Sequence, residues 1–247
     1  MRKKFQNKIS IVTGGSLGIG REIAIKLAQE GAIVGLVARN VAGLKQTLKM
    51  VEQAGGKGEI FPLDLRNVAA IYDFARKVKK RWGRVDILVN VAGIYHGKDK
   101  AYYHIPFTNY TASEILNTYE VGINAPTFLC HALLPLMNKG GRIINISGTF
   151  ESGAAGWLPY YVSKRAIEDL TVGLAEELRD KAIRVNCISP SDTATEAYQK
   201  FFPEYVSEAQ SPERIAKYVI NLCSENKMTG KVIVIKKDKK PFEGYHF

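Results

Sequence analysis

An α/β fold, one domain built on a doubly wound parallel sheet with helices on both faces, is what this sequence predicts, and three features predict it. Strand-like runs alternate with helix-like stretches along the chain. The first strand runs straight into a glycine-rich turn and an apolar-periodic helix. The balance of the 247 residues, 46% hydrophobic and 24% charged, is that of an ordinary globular domain long enough to bury a sizeable core.

Residues 8–13 read Lys-Ile-Ser-Ile-Val-Thr, a short strand, and lead into Gly14-Gly15-Ser16-Leu17-Gly18-Ile19-Gly20. The helix that follows repeats its apolar positions at Ile23, Ala24, Leu27 and Ala28. This strand, turn and helix form a phosphate-binding unit whose spacing is not quite the Rossmann Gly-x-Gly-x-x-Gly: the glycines permit a tight turn and close backbone approach, and the helix start offers amide donors with a partial positive charge. Gly14, Ser16, Leu17, Gly18, Ile19 and Gly20 are its candidate cofactor contacts. Further strands are expected over residues 32–37, 59–61, 86–90, 142–147, 183–188 and 231–235. In such sheets ligands sit at the carboxyl ends of the strands. The second strand ends in Val37-Ala38-Arg39-Asn40, with no acid to accept from a ribose 2′-hydroxyl. A guanidinium there suits a 2′-phosphate, so Arg39 favours NADP(H) over NAD(H).

The chemistry points to Tyr160 and Lys164, four residues apart and so on one face of a helix, with Ser147 thirteen residues before the tyrosine. A phenol at its usual pKa of about 10 is a poor acid at neutral pH, and a neighbouring ammonium brings it toward working range. The trio reads as proton donor, activator and carbonyl polariser, which indicates a ketone or alcohol redox enzyme. Tyr161 lies three residues before Lys164 and faces it as well, so helical spacing alone leaves both tyrosines open.

Thr13-Gly14-x-x-x-Gly18-x-Gly20 resembles the short-chain dehydrogenase/reductase family in its classical form, and the resemblance continues along nearly the whole chain. Asp64, followed by Leu65, matches the family's adenine-contacting acid. Asn90-Val91-Ala92-Gly93 is similar to its Asn-Asn-Ala-Gly element, with a departure at Val91. Asn124, Ser147, Tyr160 and Lys164 match its catalytic tetrad in order and spacing. Residues 186–193 resemble the segment that closes over the nicotinamide, keeping Pro190 and Thr193 but carrying Ser191 for the usual glycine. The resemblance implies one domain over 1–247, with a cofactor half of about 1–148 and a catalytic half of about 149–247. It also implies the roles. Ser147 donates to the substrate oxygen and Tyr160 delivers the proton while hydride arrives from the nicotinamide. Lys164 holds the ribose, and Asn124 anchors a water relay. Asn90, Ala92, Gly93, Tyr160, Lys164, Pro190 and Thr193 join the expected cofactor contacts. Pro126 is compatible with a helix distortion at Asn124.

The substrate expectation is a carbonyl or secondary alcohol, first a 3-oxoacyl thioester, with a sugar or steroid-type alcohol dehydrogenase as the variant. A binding-only NADP(H) sensor or scaffold is the alternative of another class. Two segments are candidates for the pocket wall: Tyr95, Tyr102, Tyr103, Phe107 and Tyr110, which suit a pocket, a lid or a partner interface alike, and, after Pro190 at the position of the family's substrate lid, Thr193, Thr195, Tyr198, Phe201 and Phe202. The net charge of +11, from 35 Lys and Arg against 24 Asp and Glu, clusters at 2–4, 76–84 and 236–240. No nucleic-acid recognition pattern accompanies it, so the expectation is solvated surface with a steering role. Cys130, Cys187 and Cys223 lack metal-ligand spacing, and buried free thiols with no metal are expected. His96, His104, His131, His246 and Glu151 show no triad or metal spacing. No apolar run reaches membrane-spanning length and Met1-Arg2-Lys3-Lys4 leads into a strand, so a cytoplasmic protein is expected. Lys236-Lys237-Asp238 replaces the family's usual Asp-Gly-Gly, which bears on the subunit contact of the expected homo-oligomer, a tetramer or dimer.

Overall fold

The computed structural model describes residues 3–151, 153–224 and 227–244; Arg2 of the first basic cluster and His246 lie outside the described residues. In chain order the elements that matter are β1 (Ile9–Thr13), α1 (Gly18–Gln29), β2 (Ile33–Ala38), α2 (Val41–Gln53), β3 (Lys57–Pro62), α3 (Val68–Trp82) and β4 (Val85–Asn90). Then come α4 (Ala112–Tyr119), a π-helical turn (Glu120–Asn124), α5 (Ala125–Leu133), β5 (Met137–Ile146), α6 (Leu158–Glu177) and β6 (Arg184–Pro190). The chain closes with α7 (Glu196–Phe201), α8 (Pro212–Ser224), β7 (Val232–Ile235) and β8 (Phe242–Glu243).

The strands form one sheet in the order β3-β2-β1-β4-β5-β6-β7-β8, parallel except for β8. Winding runs outward from β1 in one direction and then, from β4, in the other. The crevice at this reversal is where a doubly wound sheet takes its ligand. Central strands are covered on both faces, and every residue of β1 is buried, Ser10 and Thr13 included. One face packs on α1, α2 and α8 through Ile23, Leu27, Leu44, Ile215 and Val219. The other packs on α3, α5 and α6 through Ile71, Phe74, Leu129, Leu133 and Ala175. Each of these side chains larger than alanine contributes about 1.5–3 kcal/mol. Helix starts are fixed locally: the side chains of Asn40 and Asn67 accept the amides of Gly43 and Ala70, and Thr111 with Glu114 forms a capping box.

Two features depart from the sequence expectation. β5 begins at Met137 rather than near 142, and β8 lies beyond the last expected strand. After Lys236-Lys237 the chain turns with Asp238 at φ 55° and returns antiparallel, pairing Val234 with Phe242 and Ile233 with Glu243. Lys231 and Glu243 add an ion pair at 2.6 Å. A two-residue strand is too short for any hydrophobic period to reveal. It covers the outer edge of β7.

All three cysteines are free and buried, and burial pushes the thiols of Cys130 and Cys223 up to about 12. Among the described residues no His, Cys, Asp and Glu cluster suits a metal, and no helix is long and apolar enough to cross a membrane.

Candidate active site

The glycine turn is built by contact as much as by backbone freedom. Gly14 sits at φ +66°, where an L side chain is strained, and a Cβ on Gly20 would lie 2.3 Å from the Gly14 carbonyl oxygen. Only glycine at 20 lets α1 close on the turn. Thr13 ties the turn to the neighbouring strand end, its Oγ1 accepting the amides of Val91 and Ala92 at 3.0 and 3.2 Å. Ser16 is buried and its carbonyl accepts from Arg21; Leu17 is exposed, and Ile19 packs on the core.

The N-terminus of α1 is not left open. The Glu196 carboxylate accepts the Gly18 amide at 2.9 Å through one oxygen and the Arg21 guanidinium at 2.5 Å through the other. Beside it Thr195 presses on the turn, its Cγ2 lying 2.9 Å from where a Cβ on Gly18 would be. The segment after β6 thus docks on the anion-attracting end of the helix with an anion of its own.

At the far end of the crevice Arg39 is exposed just beyond β2. Asp64 is gripped by Arg66, whose Nε and Nη2 reach its oxygens at 3.0 and 2.6 Å. That hydrogen bond holds the carboxyl of Asp64 below the usual carboxylate range. Arg66 also donates to Asn117 at 2.7 Å. Leu65 is buried in the core, and Asn90 is buried with its Nδ2 on Asn145 at 2.9 Å, Asn145 in turn donating to Thr171 at 2.9 Å. This chain of amides ties β4, β5 and α6 together beneath the site.

Tyr160 and Lys164 share a face of α6. The Lys164 ammonium lies 5.3 Å from the centre of the Tyr160 ring and donates to the Ile146 carbonyl at 2.9 Å. Burial depresses it to about 8. Burial also pushes the Tyr160 phenol up, with Tyr95 and Asp192 acting in the same direction. The expected lowering of the phenol by the lysine is thus outweighed in this closed site, where the ammonium is turned to Ile146. Gly93 comes so close that a Cβ on it would stand 3.2 Å from Lys164 Nζ.

Ser147 is brought next to this pair, but its hydroxyl is spent elsewhere: it reaches Glu168 Oε1 at 2.8 Å and the Lys164 carbonyl at 3.1 Å. Residue 148 faces the tyrosine instead, since a Cβ on Gly148 would lie 3.9 Å from the Tyr160 hydroxyl. Asn124 ends the π-helical turn and is exposed, while Gly122 faces α6. Among the described residues no side-chain hydrogen bond joins Asn124 to Lys164. The wide turn has a physical cause in Pro126, which lacks an amide hydrogen for the regular helical ladder. Pro190 ends β6, buried, and Thr193 is buried with its hydroxyl on the Ser191 carbonyl at 2.9 Å.

Sequence and structure comparisons agree with this architecture. A model of the family described as short chain dehydrogenase matches residues 8–205. The chain belongs to the short-chain dehydrogenase family. It is 34% identical over 198 residues to a 3beta-hydroxysteroid dehydrogenase of Mediterraneibacter gnavus, covering 78% of this chain and 68% of that protein. It is 30% identical over 232 residues to the ketoacyl reductase HetN of a Nostoc species, covering 92% and 78%. A crystal structure of a short chain dehydrogenase from Burkholderia cenocepacia in complex with NADP matches with a TM-score of 0.85 at 25% identity, over 94% of this chain and 98% of that one. The protein is therefore an oxidoreductase of a fold that binds a nicotinamide cofactor.

Within this short-chain dehydrogenase frame the aromatic segments divide. Tyr102 and Tyr110 are buried supports, the Tyr110 hydroxyl donating to carbonyls of Tyr102 and Gly156, and Phe107 is exposed. Tyr103 instead packs on Trp157 and Phe202, with ring centres 4.7 and 5.5 Å away. Tyr95 stands 5.8 Å from Tyr160, ring centre to ring centre. Tyr161, by contrast, packs edge-on against Phe150 at 5.1 Å. Sequence reading missed Arg66, Glu168, Trp157 and Glu196. Asp64-x-Arg66 and Thr195-Glu196 at a helix start were the signals available for two of them; a buried acid inside α6 left none.

Proposed function

We propose that the protein reduces a carbonyl with NADPH, Tyr160 delivering the proton to the substrate oxygen and Lys164 holding the nicotinamide ribose. The close approach of Gly93 to Lys164 carries this reading, because it joins the end of the cofactor crevice to the tyrosine–lysine pair. The cofactor contacts are Gly14, Ser16, Leu17, Gly18, Ile19 and Gly20 for the pyrophosphate, with Arg39, Asp64 and Leu65 at the adenosine end. Asn90, Ala92, Gly93, Pro190 and Thr193 surround the nicotinamide half. The fold binds this group at helix starts and strand ends, and the residues present suit it; when bound it supplies hydride.

NADP(H) is favoured over NAD(H) by two guanidinium groups near the adenosine end, Arg39 and Arg66, with no acid at the end of β2. The NADP complex of the Burkholderia cenocepacia relative points the same way. A 3-oxoacyl thioester is the first substrate, on the resemblance and the name of the Nostoc relative; a steroid-type alcohol follows from the name of the Mediterraneibacter gnavus relative. The protein acts in the cytoplasm as a homo-oligomer, and the β8 return on the β7 edge bears on its subunit contact.

A second reading, a protein that binds the cofactor without turnover, draws on the inward hydroxyl of Ser147. Oxidation of NADPH and NADH against acyl thioester, sugar, steroid and diketone panels separates the two. The expected result is turnover with NADPH that Tyr160→Phe loses and that Arg39→Ser shifts toward NADH. NADPH binding without turnover on any carbonyl selects the second reading.

A further inference from the structure

Residues 147 and 148 point opposite ways, as successive residues of an extended chain do. Ser147 turns inward and is fully engaged. Its amide donates to Ile188 at 2.8 Å and its hydroxyl binds the wholly buried Glu168, which Arg165 contacts at 3.1 Å. Rotating that hydroxyl toward the crevice strips a hydrogen bond from a buried carboxylate, which is costly. Residue 148 points at the reacting side, and nothing there demands glycine. An added Cβ would meet Phe150 and the Tyr160 hydroxyl at ordinary contact distance, 3.9 Å for each, and its φ is not in the left-handed region.

A second observation concerns what surrounds the acid. The Tyr160 ring is enclosed by Tyr95, Phe150 and Trp157, with ring centres 5.8, 5.7 and 6.1 Å away. The three rings are tilted to Tyr160 by 54°, 59° and 44° and wall the surroundings of its hydroxyl with aromatic surface.

We infer that the donor position opposite Tyr160 is residue 148, that it carries no side chain here, and that the site accordingly takes a carbonyl already activated by its neighbour: a 1,2-diketone. This rests on the NADPH-dependent reduction proposed above and puts a diketone ahead of the 3-oxoacyl thioester as its substrate. Removing one donor from a developing oxyanion costs about 10²–10³ in rate. An adjacent carbonyl withdraws electrons and lowers that demand. In the reaction a hydride from C4 of the reduced nicotinamide forms the new C–H bond, and the carbonyl π pair moves to oxygen. Oxygen then forms an O–H bond with the proton of Tyr160. The diketone is reduced by two electrons to a hydroxyketone, NADPH is oxidised to NADP⁺, and water returns a proton to the phenolate. Ser147 is then a positioning residue, holding the turn of α6 that carries Lys164.

The test compares 1-phenyl-1,2-propanedione with acetophenone, which keeps the ring and loses one carbonyl, and adds a 3-oxoacyl thioester. NADPH binding is followed separately by nicotinamide fluorescence. In the wild type the diketone is expected to be the best of the three. Gly148→Ser, which places a hydroxyl beside Tyr160, should raise kcat for acetophenone at least tenfold while changing the diketone rate far less. Ser147→Ala should lower kcat on both ketones by a common factor of less than about tenfold. A fall of 10²–10³ in Ser147→Ala with NADPH affinity intact overturns the inference, because the serine is then the donor. So does a folded, NADPH-binding Gly148→Ser without the gain, a thioester preferred over the diketone, or a wild type that binds NADPH and reduces neither ketone. Failure of the wild type to bind NADPH sinks the underlying reading instead.

Discussion

Replacing Glu196 by glutamine should tighten NADPH binding, because the carboxylate sits where a pyrophosphate is expected. It takes the Gly18 amide at 2.9 Å and the Arg21 guanidinium at 2.5 Å, the donors that the start of α1 offers an incoming anion. Two unit charges about 4 Å apart repel by about 4 kcal/mol at an effective dielectric near 20. The Glu196 side chain is 52% exposed, so solvent screens most of that repulsion. About 1 kcal/mol remains, a gain in affinity of roughly fivefold at low ionic strength. Calorimetric titration with NADPH measures it. Titration with adenosine 2′-monophosphate, which reaches Arg39 but carries no phosphate at the 5′ position, should show no gain. Added salt should close the gap between wild type and variant. Equal or weaker NADPH binding by Glu196→Gln would refute the reasoning and make the carboxylate a latch that helps to seat the cofactor.

Lys164 yields a prediction about stability. Burial holds its folded pKa near 8 against 10.5. Below about pH 8 folding buries a charge at a cost of about 3 kcal/mol, and the cost fades as pH rises from 8 toward 10.5. Lys164→Met should therefore raise the midpoint of urea unfolding at pH 7 and lose that advantage near pH 10, while abolishing turnover; an advantage independent of pH argues against a charge effect. A further expectation concerns Asn90→Ala, which removes the donor to Asn145 and leaves a buried acceptor facing empty space. A loss of about 2 kcal/mol in equilibrium unfolding is expected, and a loss below about 0.5 kcal/mol shows that Asn145 finds another partner.

The sheet was legible because its strands are β-branched runs bounded by glycine and helix signals, and the cofactor crevice because Gly20 has to pass under Gly14. Tyr160 and Lys164 were legible for a related reason: helical spacing fixes a shared face whatever surrounds it. Spacing along the chain carries no such information for residue 147. Counting thirteen residues back from the tyrosine finds a serine, but an extended chain reverses its facing at each residue, so a shift of one exchanges the crevice for the interior. What decides the side is Glu168, an acid buried inside α6 that needs a donor and finds it in Ser147. The partner lies 21 residues away and belongs to a different element. The pairing of Arg66 with Asp64 was hidden by the same kind of fact, although the place of Asp64 after β3 is legible in the sequence. Local pattern thus locates the elements and the residues on them. The side chain to which each hydroxyl and carboxylate is committed depends on contacts between elements, and those commitments determine which groups remain to meet a substrate.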